Sequence, residues 1–319
     1  MMRRMFVLSM VLMLGLLVWC QPAFAQSYPT KPIRIVIANA PGSTPDFTAR
    51  TLGQELNSIL GQPVIVEPKP GANQLVGLEY VMSQPADGYT MLVTYVSALA
   101  SMPLEVKNLS FDPINDLPPL TTLLKIRAYL ASPKVQPWTN MQEMVAYAKA
   151  NPGRLNYGTN NVPLVLVLAG MARQLGIDVV RVAYRGNAQV AQAGALNEIQ
   201  LLLVNPHQLQ TFDSLIPLAV TGSERSSAHP SVPSFAELGL VQMRDPAYSL
   251  NIRKGTPTAI VDRLSQAVTT ALKAPKLREA FAKLQYEIVG DTPEQARKTL
   301  LDEAEFFRTT AESIGLKPE

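Results

Sequence analysis

The sequence predicts an α/β fold with a mostly parallel sheet, and three observations support this prediction. From Ile33 onward, short β-branched runs alternate with amphipathic helical patterns, which is typical of successive βα units. Clusters of Gly, Pro and Asn separate these runs and predict turns between them. The hydrophobic content of 47% is ordinary for a globular chain of 319 residues, and this length suffices for one large or two medium domains.

The elements follow from local patterns. Strands are predicted where apolar, β-branched runs lie between turn signals; in chain order these are Ile33 to Ala38, Val64 to Val66, Thr90 to Thr94, Leu155 to Gly158, Val179 to Val182, Ile199 to Val204 and Ile216 to Thr221. Helices are predicted to begin near Pro45, Leu75, Met141, Pro163, Ala188, Phe235, Ala259, Pro275 and Pro293.

The first helix has both of its end signals. Thr44 can cap it, and Pro45 suits the first helical position. Gly61 ends the helix, and Pro63 follows just beyond. Between these ends, apolar residues return on one face, namely Leu52, Leu56, Ile59 and Leu60.

Two stretches interrupt the regular alternation. Pro103 to Pro119 is irregular and rich in Pro, Asn and Asp, and Arg244 to Thr258 contains a second break before a long helical carboxyl terminus. Both are candidate passages between lobes, and composition alone allows equally that they are surface loops of one domain. No internal repeat is found.

The amino terminus has the pattern of a secretory signal peptide. Arg3 and Arg4 form a positive start, Phe6 to Val18 is too short to span a bilayer, and Ala23 to Ala25 is an A-x-A cleavage site. Cleavage after Ala25 is expected, and residues 1–25 are then absent from the mature protein. A retained anchor is the alternative, but no stop-transfer pattern follows.

Charge and cysteine content exclude several classes of function. The single cysteine, Cys20, leaves with the signal segment, so disulfides, thiol catalysis and thiolate metal sites are not expected. Without Arg3 and Arg4, 26 basic residues stand against 25 acidic ones. This balance predicts neither a nucleic-acid partner nor a membrane surface as ligand.

The sequence contains no recognisable catalytic motif. His207 and His229 are the only histidines and do not have metal-ligand spacing, so no metal and no cofactor is expected. His207 follows an apolar run through Asn205-Pro206, and a strand-end residue explains it better than a general base. Among possible catalytic groups only Asp46, Tyr184 and Arg185 remain, so an enzyme is the least favoured class.

Four turn-forming loops lie where a strand gives way to a helix. In an open α/β sheet such loops line the crevice beyond the carboxyl ends of the strands, where free N–H groups and helix dipoles favour an anion. The loops are residues 40–46, 70–74, 158–163 and 184–187. Each alone is weak evidence, because each has a purely structural explanation. Asp46 can stabilise the amino terminus of its helix, Arg50 can pair with a surface carboxylate, and Asn73 can adopt a left-handed turn.

A series of motifs covers almost the whole mature chain, at residues 28–36, 41–50, 60–67, 70–72, 85–90, 116–120, 182–186, 218–225, 230–239 and 255–257. In this order the motifs resemble the receptors of tripartite tricarboxylate transporters, the Bug family. The resemblance implies a two-lobed periplasmic receptor of the type II binding-protein kind. Two inter-lobe crossings would join lobe 1, residues 26–126 and 247–319, to lobe 2, residues 127–246.

The resemblance also implies a function and a site. Such receptors close around a small organic acid and deliver it to two membrane permease subunits, and a hinged receptor of this kind is expected to be monomeric. The ligand carboxylate is held largely by backbone groups, partly through water. By matching position, the expected ligand-binding residues are Gly42, Ser43, Thr44, Asp46, Ala72, Asn73, Gln74, Thr159, Asn160, Asn161, Tyr184 and Gly186.

Departures from the family pattern bear on the ligand. Asn39 replaces a usual Phe and adds an amide to the expected site, and Asn73-Gln74-Leu75 replaces a Gly-Gly-Asn run. In the second lobe, Pro163, Leu164, Val165 and Val167 replace small polar residues. Burying an unpaired carboxylate there is costly, so the expected ligand is a monocarboxylate with an apolar or aromatic remainder. Leu164 and Val165 can equally be helix core.

Transport is the leading interpretation of this sequence. The same binding chemistry would also serve a receptor that presents its closed form to a membrane sensor kinase, and the sequence does not separate these two roles. Neighbouring permease or kinase genes would separate them.

Overall fold

The computed structural model describes residues 28–184, 186–240 and 244–316. The expected signal peptide and its cleavage site, residues 1–25, lie outside the described residues, as does Arg185. Within the described part of the chain, strands and helices alternate over most of the length, which confirms the predicted α/β class. No described helix is both long and apolar enough to cross a membrane.

Eleven strands are present in the described ranges. They are β1 Ile33–Ile37, β2 Val64–Pro68, β3 Thr90–Tyr95, β4 Pro119–Ile126, β5 Tyr129–Pro133, β6 Leu155–Thr159, β7 Val179–Ala183, β8 Leu202–Val204, β9 Leu215–Val220, β10 Ala247–Ile252 and β11 Tyr286–Ile288.

Eleven α-helices connect or follow these strands in the same described ranges. They are α1 Thr44–Leu60, α2 Leu75–Ser83, α3 Val96–Glu105, α4 Pro113–Asp116, α5 Met141–Ala150, α6 Val162–Leu175, α7 Asn187–Ala195, α8 Pro206–Thr211, α9 Thr258–Leu272, α10 Pro275–Lys283 and α11 Pro293–Ile314.

The largest sheet has the strand order β11-β4-β10-β3-β1-β2. Strand β1 pairs in parallel with β2 and β3, whereas β10 runs antiparallel between β3 and β4, and β11 is antiparallel to β4. The expectation of a mostly parallel sheet was therefore wrong. Strand β10 enters this sheet after the chain has formed the other sheets, and sequence periodicity carries no information about the direction of such a return.

The middle of the chain forms two smaller sheets. Strand β5 lies between β8 and β9 and is antiparallel to both, while β6 and β7 form a parallel pair. A bridge between Tyr157 and Leu201 links the β6 region to the segment that leads into β8. The chain thus leaves the largest sheet between β4 and β5 and returns to it between β9 and β10.

Helix α6 joins two of the apolar clusters. Leu168 is buried with Trp138, Tyr157 and other residues of the middle segment. Leu166, two positions earlier, is buried in the cluster that contains Val36 of β1 and residues of α3 and α11. Because residues two apart on a helix point in different directions, α6 packs against both groups of elements at once.

Two local expectations differ from the structure. A helix was expected near Phe235, but residues 235–239 form a turn, in which the Phe235 N–H donates to Val220 O at 2.9 Å and holds the segment as an extension of the β9 edge. Conversely, Pro103 lies inside helix α3 instead of an irregular stretch. Pro103 cannot donate the hydrogen bond to Leu99 O that this position would otherwise make, and the helix ends two residues later, at Glu105.

Gly77 is required where helix α2 crosses the end of β1. A β-carbon at Gly77 would lie 2.8 Å from Ala38 Cα and 3.1 Å from Lys69 O, so Gly77→Ala should lower the free energy of unfolding by about 1 to 3 kcal/mol through overpacking. Urea denaturation measures this loss. The matched control is Gly53→Ala in α1, whose nearest neighbour would be a side-chain atom of Val64 at 3.4 Å. An unchanged midpoint for Gly77→Ala would contradict the prediction.

Candidate functional site

A cavity of about 150 Å³ lies at the carboxyl ends of β3 and β4 in the largest sheet and of β8 and β9 in the three-stranded sheet. Its polar lining comes from Thr44, Tyr95, Ser97, Asn161, Asn187, Asn205, Gln208, Thr221, Arg244, Asp245, Tyr248 and Glu303. Its apolar lining includes Ile126, Pro163, Leu164, Val167, Leu203 and Phe307. The volume is below the roughly 300 to 1,000 Å³ of sites for drug-sized ligands, so it suits a small molecule.

Four helices of eight or more residues begin at this cavity. Their first residues or first-turn residues line it: Thr44 of α1, Ser97 of α3, Pro163 of α6 and Asn187 of α7. The residues preceding α1, α3 and α7 make no side-chain capping hydrogen bond. Free backbone N–H groups and the positive ends of several helix dipoles therefore surround one small space, which favours an anion.

Buried oxygen atoms without partners lie in the loops that lead to these helices. Asn39 Oδ1, Ser43 Oγ and Asn160 Oδ1 are shielded from solvent and form no hydrogen bond with any described residue. Ser43 immediately precedes the cavity residue Thr44, and Asn160 immediately precedes Asn161. Since an unpaired buried polar atom costs about 1 to 3 kcal/mol, these atoms indicate positions that a ligand or its water can satisfy.

The first loop is held by contacts within itself. The Gly42 N–H donates to Asp46 Oδ2 at 2.8 Å, and Arg50 Nε lies 2.8 Å from Asp46 Oδ1. The Asp46 carboxylate is thus engaged in fixing the start of α1, and Gly42 and Asp46 line an outer groove and not the cavity. Thr44 is the residue of this loop that reaches the cavity.

The second loop has an unusual backbone. Ala72, Asn73 and Gln74 all have positive φ, at 41°, 49° and 79°, which costs about 1 to 3 kcal/mol for each such residue. Side chains stabilise the turn, because Gln74 Oε1 accepts from Thr94 Oγ1 at 2.7 Å and Asn73 Nδ2 donates to Glu105. None of the three residues lines the cavity.

The two loops of the middle segment are placed differently from each other. Asn161 lines the cavity, and its Oδ1 also caps α6 by accepting from the Leu164 N–H at 3.0 Å. Thr159 is buried, and its Oγ1 accepts from Arg181 Nε at 2.9 Å. Tyr184 packs over Gly158, where its Cε2 would lie 3.4 Å from an added β-carbon.

Gly186 precedes α7 in an extended conformation, and space for a side chain surrounds it. Its neighbour Asn187 is the residue that lines the cavity. Of the thirteen residues expected to bind the ligand, Thr44 and Asn161 line this cavity, and several others directly precede its lining residues. The complete set stays a prediction.

Two phenols that sequence reasoning missed form one wall of the cavity. The rings of Tyr95 and Tyr248 lie 4.5 Å apart between centroids, and their hydroxyl groups hydrogen-bond to each other. Burial is the main reason that the pKa of each phenol is raised above its ordinary value. The chain of hydroxyls continues through Thr44, which lies 3.2 Å from the Tyr286 hydroxyl. These phenols stay protonated and can donate to a ligand oxygen.

Two carboxylates also line the cavity, and no sequence pattern indicated either of them. Asp245 Oδ1 accepts from Thr221 Oγ1 at 2.6 Å, and burial raises the pKa of this carboxyl. Burial raises the pKa of Glu303 to about 7, and only the charge of Arg244 acts against this rise. Perturbed carboxyl groups in a cavity are typical of functional sites.

A signal for some of the missed residues is present in the sequence. Tyr95 ends strand β3 and Ser97 lies in the first turn of the helix that follows, while Asn205 lies between β8 and its helix. The strand-to-helix criterion that selected four loops therefore applies to these two as well. Asp245 precedes β10, Tyr248 lies within β10 and Glu303 lies within α11, and no local pattern marks any of the three.

The histidines take no part in a metal site in the described ranges. His229 Nδ1 lies 3.1 Å from the Tyr129 hydroxyl, and His207 is exposed on α8. No group of three or more His, Cys, Asp or Glu residues suited to a metal ion exists among the residues that the structure describes.

Comparisons with known proteins agree on one family. The family model described as tripartite tricarboxylate transporter family receptor matches residues 48–316. The chain is 32% identical to the UPF0065 protein in the gbd 5' region of Cupriavidus necator over 95% of this chain and 93% of that protein. It is 29% identical to BugT of Bordetella pertussis, with 93% of each chain covered.

A solved structure described as a periplasmic transporter superimposes with a TM-score of 0.79. It is 31% identical to this chain and covers 91% of it and 99% of its own length. The fold is therefore the two-lobed fold of type II periplasmic binding proteins, as the sequence resemblance implied.

Proposed function

This chain belongs to the family of tripartite tricarboxylate transporter receptors, also known as Bug proteins, and from that membership we propose that it captures a small organic carboxylate between its lobes. It then delivers this ligand to the two membrane subunits of a permease. The protein acts by binding and release, without catalysis, in keeping with a family of solute-binding receptors.

The observation that carries the proposal is the convergence of helix amino termini on one small cavity. The residues before α1, α3 and α7 leave their helices without a side-chain cap, and the cavity phenols Tyr95 and Tyr248 can donate hydrogen bonds. Ser43 Oγ, a buried hydroxyl that forms no hydrogen bond with a described residue, adds another donor. Together these groups can hold a carboxylate without a net positive charge on the protein.

The second lobe supplies an apolar wall, which favours a monocarboxylate with an apolar or aromatic remainder. Leu164 and Val167 of α6 line the cavity together with Leu203. Val165 is buried and lies outside the lining, so it supports only the packing of the helix. A second ligand carboxylate placed against Leu164 would lose its hydration without gaining a partner.

The proposed lobes are residues 26–126 with 247–319 and residues 127–246. The change of sheet between Ile126 and Tyr129, and again between Val220 and Ala247, supports these boundaries. We place the hinge at these two crossings, where Ile126 N–H donates to Pro246 O and Thr221 N–H donates to Ala128 O. Closing of the lobes about this hinge would seal the ligand in the cavity.

The proposed location is the periplasm. Family membership implies it, and removal of residues 1–25 after Ala25 would release the mature receptor there. A monomer is the proposed working form, because each lobe must move freely.

A thermal-shift screen tests the proposed function. The mature protein, residues 26–319, is heated with mono-, di- and tricarboxylates, including aromatic acids, because a ligand that binds only the folded form raises the melting temperature. The largest shift is expected with an aromatic or medium-chain monocarboxylate. A large shift with citrate-like acids and none with monocarboxylates would contradict the proposed ligand class.

Two variants test whether a shift in melting temperature arises from binding in the cavity. Leu164→Asp places a charge in the lining of the cavity and should abolish the shift, since a buried carboxylate repels an anionic ligand. Gln174→Glu adds the same charge to the exposed part of the same helix and should leave the shift unchanged. Equal shifts in both variants would place the ligand elsewhere.

A further inference from the structure

The cavity contains acidic side chains that the binding of a carboxylate does not explain. Asp245 and Glu303 both line it, and Arg244 is the only Lys, Arg or His among the described lining residues. A site for a plain anion gains nothing from two carboxylates, because each repels the ligand. Their presence favours a ligand that also carries a positively charged group.

Asp245 is fixed in place but lacks a close cation. Its Oδ1 accepts from Thr221 Oγ1, which in turn accepts from the Ala128 N–H at 2.9 Å. Arg127 and Lys125 act on Asp245 only through their charge, and Glu287 opposes them. Within the described ranges no Lys, Arg or His nitrogen lies within 4 Å of this carboxylate.

Glu303 has even fewer partners. It lies one turn before Phe307 on α11, and both side chains line the cavity. The described part of the chain provides it with no hydrogen bond, and Arg244 acts on it only through its charge. The Arg244 side chain is half exposed, with Nη1 3.9 Å from Asp302. Arg244 is thus shared with a carboxylate outside the cavity.

Two unpaired acceptors elsewhere at the site require a donor as well. Asn39 Oδ1 and Asn160 Oδ1 are buried without hydrogen bonds to described residues. They belong to the loops that lead to the cavity residues Thr44 and Asn161. Amide oxygens can only accept, so these atoms and the two carboxylates share one requirement, a ligand or bound water that donates.

We propose that the ligand bears an ammonium or similar cationic N–H group that lies against Asp245 and Glu303, in addition to its carboxylate. The receptor therefore takes a small amino acid or other amino carboxylate with an apolar skeleton. This inference rests on the proposed function and names the substrate class of the same cavity. The carboxylate faces the helix amino termini, the cation faces the two acidic side chains, and the skeleton packs against Leu164, Val167 and Phe307.

An amino carboxylate suits the charges of the cavity better than a plain anion does. A zwitterion adds no net charge to the cavity, and its ammonium gives Asp245 and Glu303 a close cation that no described residue provides. Hydrogen bonds between charged groups are roughly twice as strong as neutral ones. A plain monocarboxylate would instead add a negative charge beside two acidic side chains.

Matched pairs of acids test the inference by titration calorimetry on residues 26–319. The pairs are hexanoate with norleucine and with 6-aminohexanoate, and 3-phenylpropanoate with phenylalanine. We expect at least one amino acid to bind about tenfold or more tightly than its amine-free partner. Tighter binding by the amine-free acid in every pair would overturn the inference and leave carboxylate capture intact. Binding by none of the five acids would overturn both proposals.

Variants locate the cation. Glu303→Gln and, separately, Asp245→Asn should weaken the preferred amino acid about tenfold or more, and neither should weaken hexanoate, because each removes a carboxylate that repels a plain anion. Asparagine can still accept from Thr221, so the fold near Asp245 is kept. Asp302→Asn is the control, because Asp302 lies on the same helix outside the cavity, 2.7 Å from Lys298. An equal loss for both acids, or no loss in either cavity variant, would overturn the inference.

Discussion

Leu166→Ala is expected to weaken ligand binding about thirtyfold or more. Leu166 belongs to helix α6 of the middle segment, yet it is buried in the cluster that contains Val36 and Phe307. Replacing a buried leucine with alanine costs about 2 to 5 kcal/mol. If this contact forms only when the lobes close, the cost falls on the closed form, and about 2 kcal/mol corresponds to about thirtyfold in affinity.

Leu168→Ala is the matched control for this experiment. Leu168 is equally buried on the same helix, but its neighbours are residues of the middle segment. The control should lose stability in urea denaturation while keeping its affinity for the acid that gives the largest thermal shift. Calorimetry on both variants measures the difference. Equal affinities in the two variants would mean that Leu166 stays buried whether or not the lobes close.

Glu303→Gln should make the ligand-free protein more stable than the wild type at pH 8. Burial raises the pKa of Glu303 from its ordinary value of 4.5 to about 7, so the folded state holds this proton more tightly than the unfolded state. Unfolding then releases the proton between these two values, and stability falls as the pH rises through this range. Above pH 7 the full penalty, up to about 3 kcal/mol, is present, and glutamine does not incur it.

Urea denaturation at pH 5 and at pH 8 measures this effect. The advantage of Glu303→Gln over the wild type should be small at pH 5 and should grow towards pH 8. Asp302→Asn is the comparison, because a hydrogen bond from Lys298 is the largest cause that lowers the pKa of Asp302. Asp302→Asn removes the acceptor of this charged hydrogen bond and should therefore lower the free energy of unfolding slightly at pH 8. A wild type that gains stability relative to Glu303→Gln as the pH rises would contradict the prediction.

The elements with strong local signals were predicted well. Pro45 and Gly61 lie where the structure begins and ends α1, and Leu75, Met141, Pro275 and Pro293 each begin a helix. Strands β4, β5, β10 and β11 were missed, although residues of the first three are almost all buried. In a strand buried on both faces the alternation of polar and apolar residues disappears, and the remaining apolar run is ambiguous.

The site prediction succeeded for polar residues that lie just after the end of a strand. Thr44 and Asn161 were found because each begins a helix directly after a strand-end loop. Asp245 and Glu303 were not found, since the first precedes an antiparallel strand and the second lies in the middle of a long helix. Only pairing of β10 between β3 and β4 brings Tyr248 opposite Tyr95.

The sequence by itself determined the class of the fold, its family and the loops that lead to the cavity. These features depend on residues close together in the chain, such as a capping residue before a helix or a turn after a strand. The tertiary structure decided the direction of β10, the burial of Leu166 away from its own sheets, and the meeting of Asp245 and Glu303 at one cavity. Those features depend on contacts between segments more than fifty residues apart, which local periodicity and turn chemistry do not encode.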